Sequence, residues 1–213
     1  MNWLARLVGG GEKTPTLDDA SDAPVREDSQ VRPSLGVGAV FDGLRENGDH
    51  AVLDLGRSAE ASFEVYGRYA RRIRFADLLR TDVAESLAAA TPASLDASIP
   101  AQADHPYDVI LAWDVLDRVA REGREPLMHA LAERSAVGAR MHIVIDPSEA
   151  PTTTRYRFTA VGVDRVRYEP AGEVVRAAPP ILPAEVERLL DPFEVLRAFT
   201  SRSGLREYVA IRR

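Results

Sequence analysis

The residues with most chemical content are acids that directly follow apolar runs. Asp54 and Gly56 close the run Ala51-Val-Leu-Asp-Leu-Gly56, Asp77 follows Arg72–Phe75, and Asp114 and Asp117 follow Tyr107–Trp113. An acid at the carboxyl end of a buried strand, with a glycine after it, is how a parallel sheet prepares a polar ligand site. The glycine has no Cβ, so backbone and ligand can approach closely. Asp77 lies 23 residues after Asp54, near the ~20-residue spacing at which an acid takes ribose hydroxyls. It could equally be a helix cap or a loop acid. Asp114 and Asp117 could line a pocket. The other reading has Asp114 capping the next turn and Asp117 solvated.

Composition bounds the chemistry. There are 213 residues, a net charge of −6 and no cysteine. Disulfides, thiolate–zinc sites and a thiol nucleophile are thereby excluded. The acidic balance argues against nucleic acid, whose phosphates are gripped by excess Lys and Arg. His50, His105, His129 and His142 show no metal-ligand spacing, and His142 reads as a core histidine within a strand. No Ser-His-Asp order or glycine elbow suggests a hydrolase. No run reaches the ~20 apolar residues of a membrane helix, and the first residues lack a signal-peptide pattern. The expected location is the cytoplasm.

The elements that must position these acids come in the order β-α-β-α-loop-β-α-β, then a flap, a helix and a hairpin. Residues 1–34 read as a flexible tail too poor in apolar residues to order itself. Its first residues carry Trp3, Leu4, Leu7 and Val8 at helical spacing. This segment, 2–8, is either a frayed end or an amphipathic hook by which residues 1–8 meet a protein or membrane-surface partner. The domain spans 35–213. Ser34 can cap a helix through Val37, Val40, Phe41 and Leu44 that stops near Asn47-Gly48. A strand at Ala51–Leu55 leads to a helix over 58–70 with Phe63, Val65, Tyr66 and Tyr69 for packing, then to a strand over 72–78. Residues 79–106 hold a helix over 82–90 and a Pro-rich connection in which a third strand is weak or missing. Tyr107–Trp113 is the strongest buried strand, with Trp113 packing in the core. A helix over 125–135, a stop at Gly138 and a strand over 140–145 complete the unit. Arg155–Phe158 and Val163–Tyr168 alternate as an exposed flap, where the arginines at 155, 157, 165 and 167 form either a solvated face or an anion-binding stripe. Pro183–Leu190 is a helix, and 193–200 with 205–211 an antiparallel pair. This predicts an α/β, Rossmann-like, mostly parallel sheet with helices on both faces and a C-terminal antiparallel hairpin.

Val52-Leu-Asp-Leu-Gly56, Tyr107-Asp-Val-Ile-Leu-Ala-Trp-Asp-Val-Leu116 and Ser135-Ala-Val-Gly-Ala-Arg-Met-His-Ile-Val-Ile145, with the closing Phe193-Glu-Val and Glu207-Tyr-Val, resemble the class I S-adenosylmethionine-dependent methyltransferases over 35–213. The resemblance implies S-adenosylmethionine as cofactor, held by Asp54, Gly56, Ser58, Asp77 and Asp114, the last where methyl donor and acceptor meet. It implies methyl transfer to a small molecule or a protein side chain. That chemistry needs alignment more than acid–base groups, so no catalytic residue is assigned. The chain departs from the family's acid-x-Gly-x-Gly-x-Gly pattern: Ser58 and Glu60 stand where two glycines belong. Glu60 would repel the cofactor's carboxylate unless Arg57 offsets it. Trp-Asp-Val-Leu after the strand differs from the Asn/Asp-Pro-Pro-Tyr of amino-methylating DNA enzymes. The alternative is a catalytically inactive scaffold or binding module of the same fold.

Overall fold

The computed structural model describes residues 29–79, 91–100, 105–176 and 178–213. Its elements are β1 (Gln30–Pro33), α1 (Leu35–Phe41), β2 (His50–Asp54), α2 (Glu60–Gly67) and β3 (Ala70–Phe75). There follow α3 (Pro92–Ser98), β4 (Tyr107–Trp113), α4 (Val115–Arg118), α5 (Arg121–Glu133) and β5 (Ser135–Ile145). The chain closes with β6 (Thr152–Gly162), β7 (Arg165–Val175), α6 (Pro183–Leu190), β8 (Phe193–Thr200) and β9 (Arg206–Arg212).

Six strands form the main sheet in the order β3-β2-β4-β5-β9-β8. The first four are parallel, with Val52 opposite both Ile73 and Val109, and Ile110 opposite Met141. β9 runs antiparallel to β5 and β8, placing Val209 beside His142. The expected fold class is therefore the observed one. Alternation along the strands divides the core in two. Leu53, Ile110, Met141 and Ile143 meet α5 and α6 on one face. Val52, Val109, Leu111 and Trp113 meet α1 and α2 on the other. A second sheet, ordered β1-β7-β6, lies over this latter face and contributes Phe158, Ala160, Val166 and Tyr168 to its core.

Several boundaries differ from expectation. The flap is longer than its alternating stretches, eleven residues in each strand. It recruits Gln30–Pro33 as a third strand, with Val31 opposite Arg167. α2 begins at Glu60 because residues 57–59 complete the turn after Gly56. Its inward stripe is Ser62, Val65 and Tyr66, the i, i+3, i+4 spacing of one helix face. Phe63 falls off that stripe and is 58% exposed, contrary to its expected packing on the sheet. α5 starts before Pro126 and carries it in the second turn. β5 runs through Gly138, whose φ of +83° suits glycine. Thr91 caps α3 by accepting from the Ser94 amide, so part of the expected loop is helical. Among the described residues no strand lies outside β3, as the weak third strand predicted. The expectations for 1–28 and for the helix over 82–90 lie outside the described residues.

Candidate functional site

Asp54 is the last residue of β2 and only 1% exposed. Its Oδ1 accepts from the Gly56 amide at 2.7 Å and from Trp113 Nε1 at 2.6 Å. Its Oδ2 accepts from the Tyr66 hydroxyl at 2.7 Å. Each donor arrives for a reason in the chain: Tyr66 sits on the inward stripe of α2, and Trp113 ends the neighbouring strand β4. Trp113 has φ +50°, a conformation that a bulky side chain rarely adopts. Burial pushes the Asp54 carboxyl up to about 6, against the lowering effect of Tyr66, Trp113 and the Gly56 amide. Burial and the facing carboxylate also raise the Tyr66 hydroxyl well above its ordinary value.

The same packing explains Gly56. A Cβ there would stand 2.9 Å from Asp54 Oδ1 and 3.1 Å from Trp113 Nε1. The room a glycine provides is thus taken up by the protein's own side chains. The flap then covers Trp113: Phe158 stacks on it, ring centroids 5.1 Å apart and planes 3° from parallel. The flap is pinned by the Ala160 amide donating to Ser62 Oγ and by Arg118 donating to the Tyr156 carbonyl. No ligand reaches the Asp54 carboxylate in this arrangement unless Trp113 or Tyr66 moves.

A second acidic group lies beyond β4 and β5. Arg118 binds Asp114 through two bonds of 2.9 and 2.8 Å, an i, i+4 pair along α4. Asp117 Oδ2 accepts from the Asp146 amide at 2.8 Å, while its Oδ1 is buried with no hydrogen-bond partner. Burial pushes Asp117 up to about 7, against the Asp146 amide bond. Asp146 in turn accepts from Thr153 and from Arg176 at the two roots of the flap. These groups line a cavity with Tyr156 and Phe158, with room for about one water molecule. Asp117 is therefore buried, not solvated.

The remaining residues named from the sequence stand apart from Asp54. Asp77 lies two residues past β3, half-buried, with φ +50° and its amide donating to the Gly56 carbonyl. Arg57 and Ser58 are exposed. Glu60 is also exposed, at the start of α2, where the helix dipole favours an acid. His142 is a core histidine, fully buried beside Trp113, with Nε2 3.2 Å from Glu207 Oε2. Glu207 also accepts from Ser34 Oγ at 2.6 Å and the Gly36 amide at 2.9 Å. Burial opposes its ionisation, but the bonds from His142, Ser34 and Gly36 hold it below the ordinary carboxylate range. Neither Tyr66 as an Asp54 partner nor Glu207 stood out in the sequence. The only trace of the first was Tyr66 on an inward helix face directly after the turn. Among the described residues, no group of acids and histidines is placed to hold a metal ion. Among them, too, no helix is long and apolar enough to cross a membrane.

No family model matches the chain, and no curated protein matches it significantly. Its fold is shared with many solved structures, methyltransferases among them. DesVI from Streptomyces venezuelae is similar at 11% identity and a TM-score of 0.50, over 84% of this chain and 91% of that one. The glycopeptide N-methyltransferase MtfA, solved with (S)-adenosyl-L-methionine, is similar at 14% identity and a TM-score of 0.42, over 84% and 95%. The pyocyanin biosynthetic protein PhzM is similar at 15% identity and a TM-score of 0.44, and this chain spans only 55% of its length. At these identities the likeness is one of fold: a mixed α/β domain with methyltransferase-fold neighbours.

Proposed function

We propose that this chain is a methyltransferase-fold domain that works without S-adenosylmethionine, as a binding or scaffold module. One observation carries the reading. The Asp54 carboxylate and the space above Gly56, which would receive the cofactor, are occupied by Tyr66, Trp113 and the Gly56 amide. The exposed Ser58 and Glu60 in place of two glycines agree with it. Asp77 and Asp114 then serve the turn and the Arg118 pair rather than a ligand.

A second reading is favoured by the unpaired Oδ1 of Asp117 in its cavity beside Asp114. It is an S-adenosylmethionine-dependent methyltransferase acting on a small molecule or protein side chain, with the flap displaced during turnover. Titration calorimetry of the purified chain separates the two, run with S-adenosylmethionine and S-adenosylhomocysteine alongside thermal unfolding. The module reading expects no heat and an unchanged Tm at millimolar ligand. A Kd tighter than about 100 µM, which stabilises by over 1 kcal/mol at that concentration, overturns it in favour of the enzyme.

A further inference from the structure

Three acids line the cavity between α4 and the flap roots: Asp114, Asp117 and Asp146. Two of them have an arginine of their own. Arg118 pairs with Asp114 at 2.8 Å, and Arg176 with Asp146 at 2.6 Å. Asp117 is only 8% exposed, and its Oδ1 meets no hydrogen-bond donor among the described residues. The arginines around it are committed elsewhere. Arg118 Nε and Nη2 donate to Asp114, and its Nη1 to the Leu79 carbonyl. Arg176 Nε donates to the Ala150 carbonyl, and its two Nη atoms to the Asp146 carbonyl and carboxylate. Arg124 Nε and Nη2 donate to the Leu116 and Pro179 carbonyls. Arg155 lines the same cavity and leaves Asp117 Oδ1 unbonded. One buried carboxylate oxygen thus lacks a donor and a cation in contact, and burying such a charge is costly unless it is paired.

Water would supply the donor and leave the charge uncompensated. An ammonium head supplies both in the same space, which has room for about one water molecule. It brings three donors, and the wall offers further acceptors in the Asp146 carboxylate and the Thr153 hydroxyl. A carbon stem on that head has an apolar path outward. Val144, Phe158, Val174 and Leu205 line the cavity, and Val175, 76% exposed, stands at its rim. A guanidinium or a quaternary ammonium exceeds the room, and the acids are not grouped to hold a metal ion. We propose that this cavity is a binding site for a primary alkylammonium group, seated on Asp117 Oδ1. The site is separate from the Asp54 unit and does not depend on whether S-adenosylmethionine binds there. Its walls come from residues 153–156 and 174–176 at the two flap roots as well as from α4, so an occupied site ties the flap to the sheet edge.

The full-length chain is titrated by NMR at pH 8 with n-butylammonium chloride, and with 1-butanol and tetramethylammonium chloride as controls at matched ionic strength. Butylammonium should shift the amides of Asp117, Asp146, 153–156 and 174–176 saturably, with a Kd of about 1 mM or tighter. Neither control should do so. Asp117→Asn should weaken butylammonium roughly tenfold or more, with its unshifted core amides reporting an intact fold. The wild-type chain provides an independent arm, because acid protonates this carboxyl, which faces Asp114, Arg124 and Arg176. At pH 5 about one Asp117 in a hundred is ionised, and affinity should fall by roughly that factor. Nα-acetyl-lysine methylamide carries the same head on a peptide unit. Binding as tight as butylammonium's assigns the site to a protein lysine, and weaker binding assigns it to a free amine. No saturable shift, an equal shift with butanol, or binding that survives either Asp117→Asn or pH 5 overturns the proposal, and the cavity then holds water alone.

Discussion

Asp54 and Asp117 are carboxylates buried at the same edge of one sheet, and the protein serves them in opposite ways. Asp54 receives three donors from three elements, the turn after β2, α2 and β4. Asp117 receives one, and its second oxygen faces a cavity without a partner. Burial raises both, to about 6 and about 7. The difference lies in what each does for its surroundings. Asp54 fastens Trp113, Tyr66 and the turn into a closed unit. Asp117 steadies only the amide of Asp146, which then holds the flap roots. A carboxylate surrounded by its own protein's donors is a structural hub, whereas one with an idle oxygen costs stability unless something else supplies a donor.

The largest test of this contrast is Trp113→Ala. It removes a fully buried ring, the partner of Phe158 and a donor to Asp54 together. It should cost about 3–5 kcal/mol in urea unfolding. A loss below about 1 kcal/mol would mean that the closed unit around Asp54 does not hold the domain together. Next comes Asp117→Asn, with the opposite sign. The folded-state value near 7 lies above the model-peptide 3.8, so ionising Asp117 opposes folding. Its contribution is most favourable below the unfolded value and declines as pH rises through the folded one. Asparagine keeps an acceptor for the Asp146 amide and carries no charge. It should gain roughly 2–4 kcal/mol at pH 8 and almost nothing at pH 4. A loss at pH 8 would show that the cavity provides Asp117 with a donor. The smallest effect is that of Tyr66→Phe, which leaves Asp54 Oδ2 without its donor. It should cost about 1–2 kcal/mol at pH 8, less below pH 6, where Asp54 is largely protonated. A penalty that does not change with pH would mean that Tyr66 acts through its ring, stacked on Phe41, rather than through its hydroxyl.

The sheet was legible because its strands announce themselves locally. Tyr107–Trp113 is apolar but for Asp108 since both its faces are covered, and Glu207–Ala210 is buried residue after residue because β9 lies between β5 and β8. The site was legible only in part. Asp54, Gly56, Asp77 and Asp114 could be located as strand-end residues from spacing. What occupies Gly56 could not, because Trp113 lies 57 residues downstream and reaches back through an unusual backbone angle that no local pattern encodes. Which of the two readings of Asp117, pocket lining or solvated, would hold could not be decided for a similar reason. Thr153 and Arg176 at the flap roots, which bond Asp146 and line the same cavity as Asp117, lie far along the chain. Phe63 misled by residue type alone: a phenylalanine in a helix invites burial, but one step around from Ser62 it faces water.

Ser34 and Glu207 bond across 173 positions of sequence. At a synthesis rate of ~5–20 residues per second, that separation is roughly 10–35 s of translation. During this interval the first helix lacks the carboxylate that receives Ser34 and the Gly36 amide, and His142 lacks the same partner. Gly36 leaves no slack when the last strand arrives, for a Cβ would stand 2.5 Å from Glu207 and 2.6 Å from the His142 ring. The domain is thus sewn shut by its final strand, and a nascent chain cut before β9 would hold an unfinished beginning as well as a missing end.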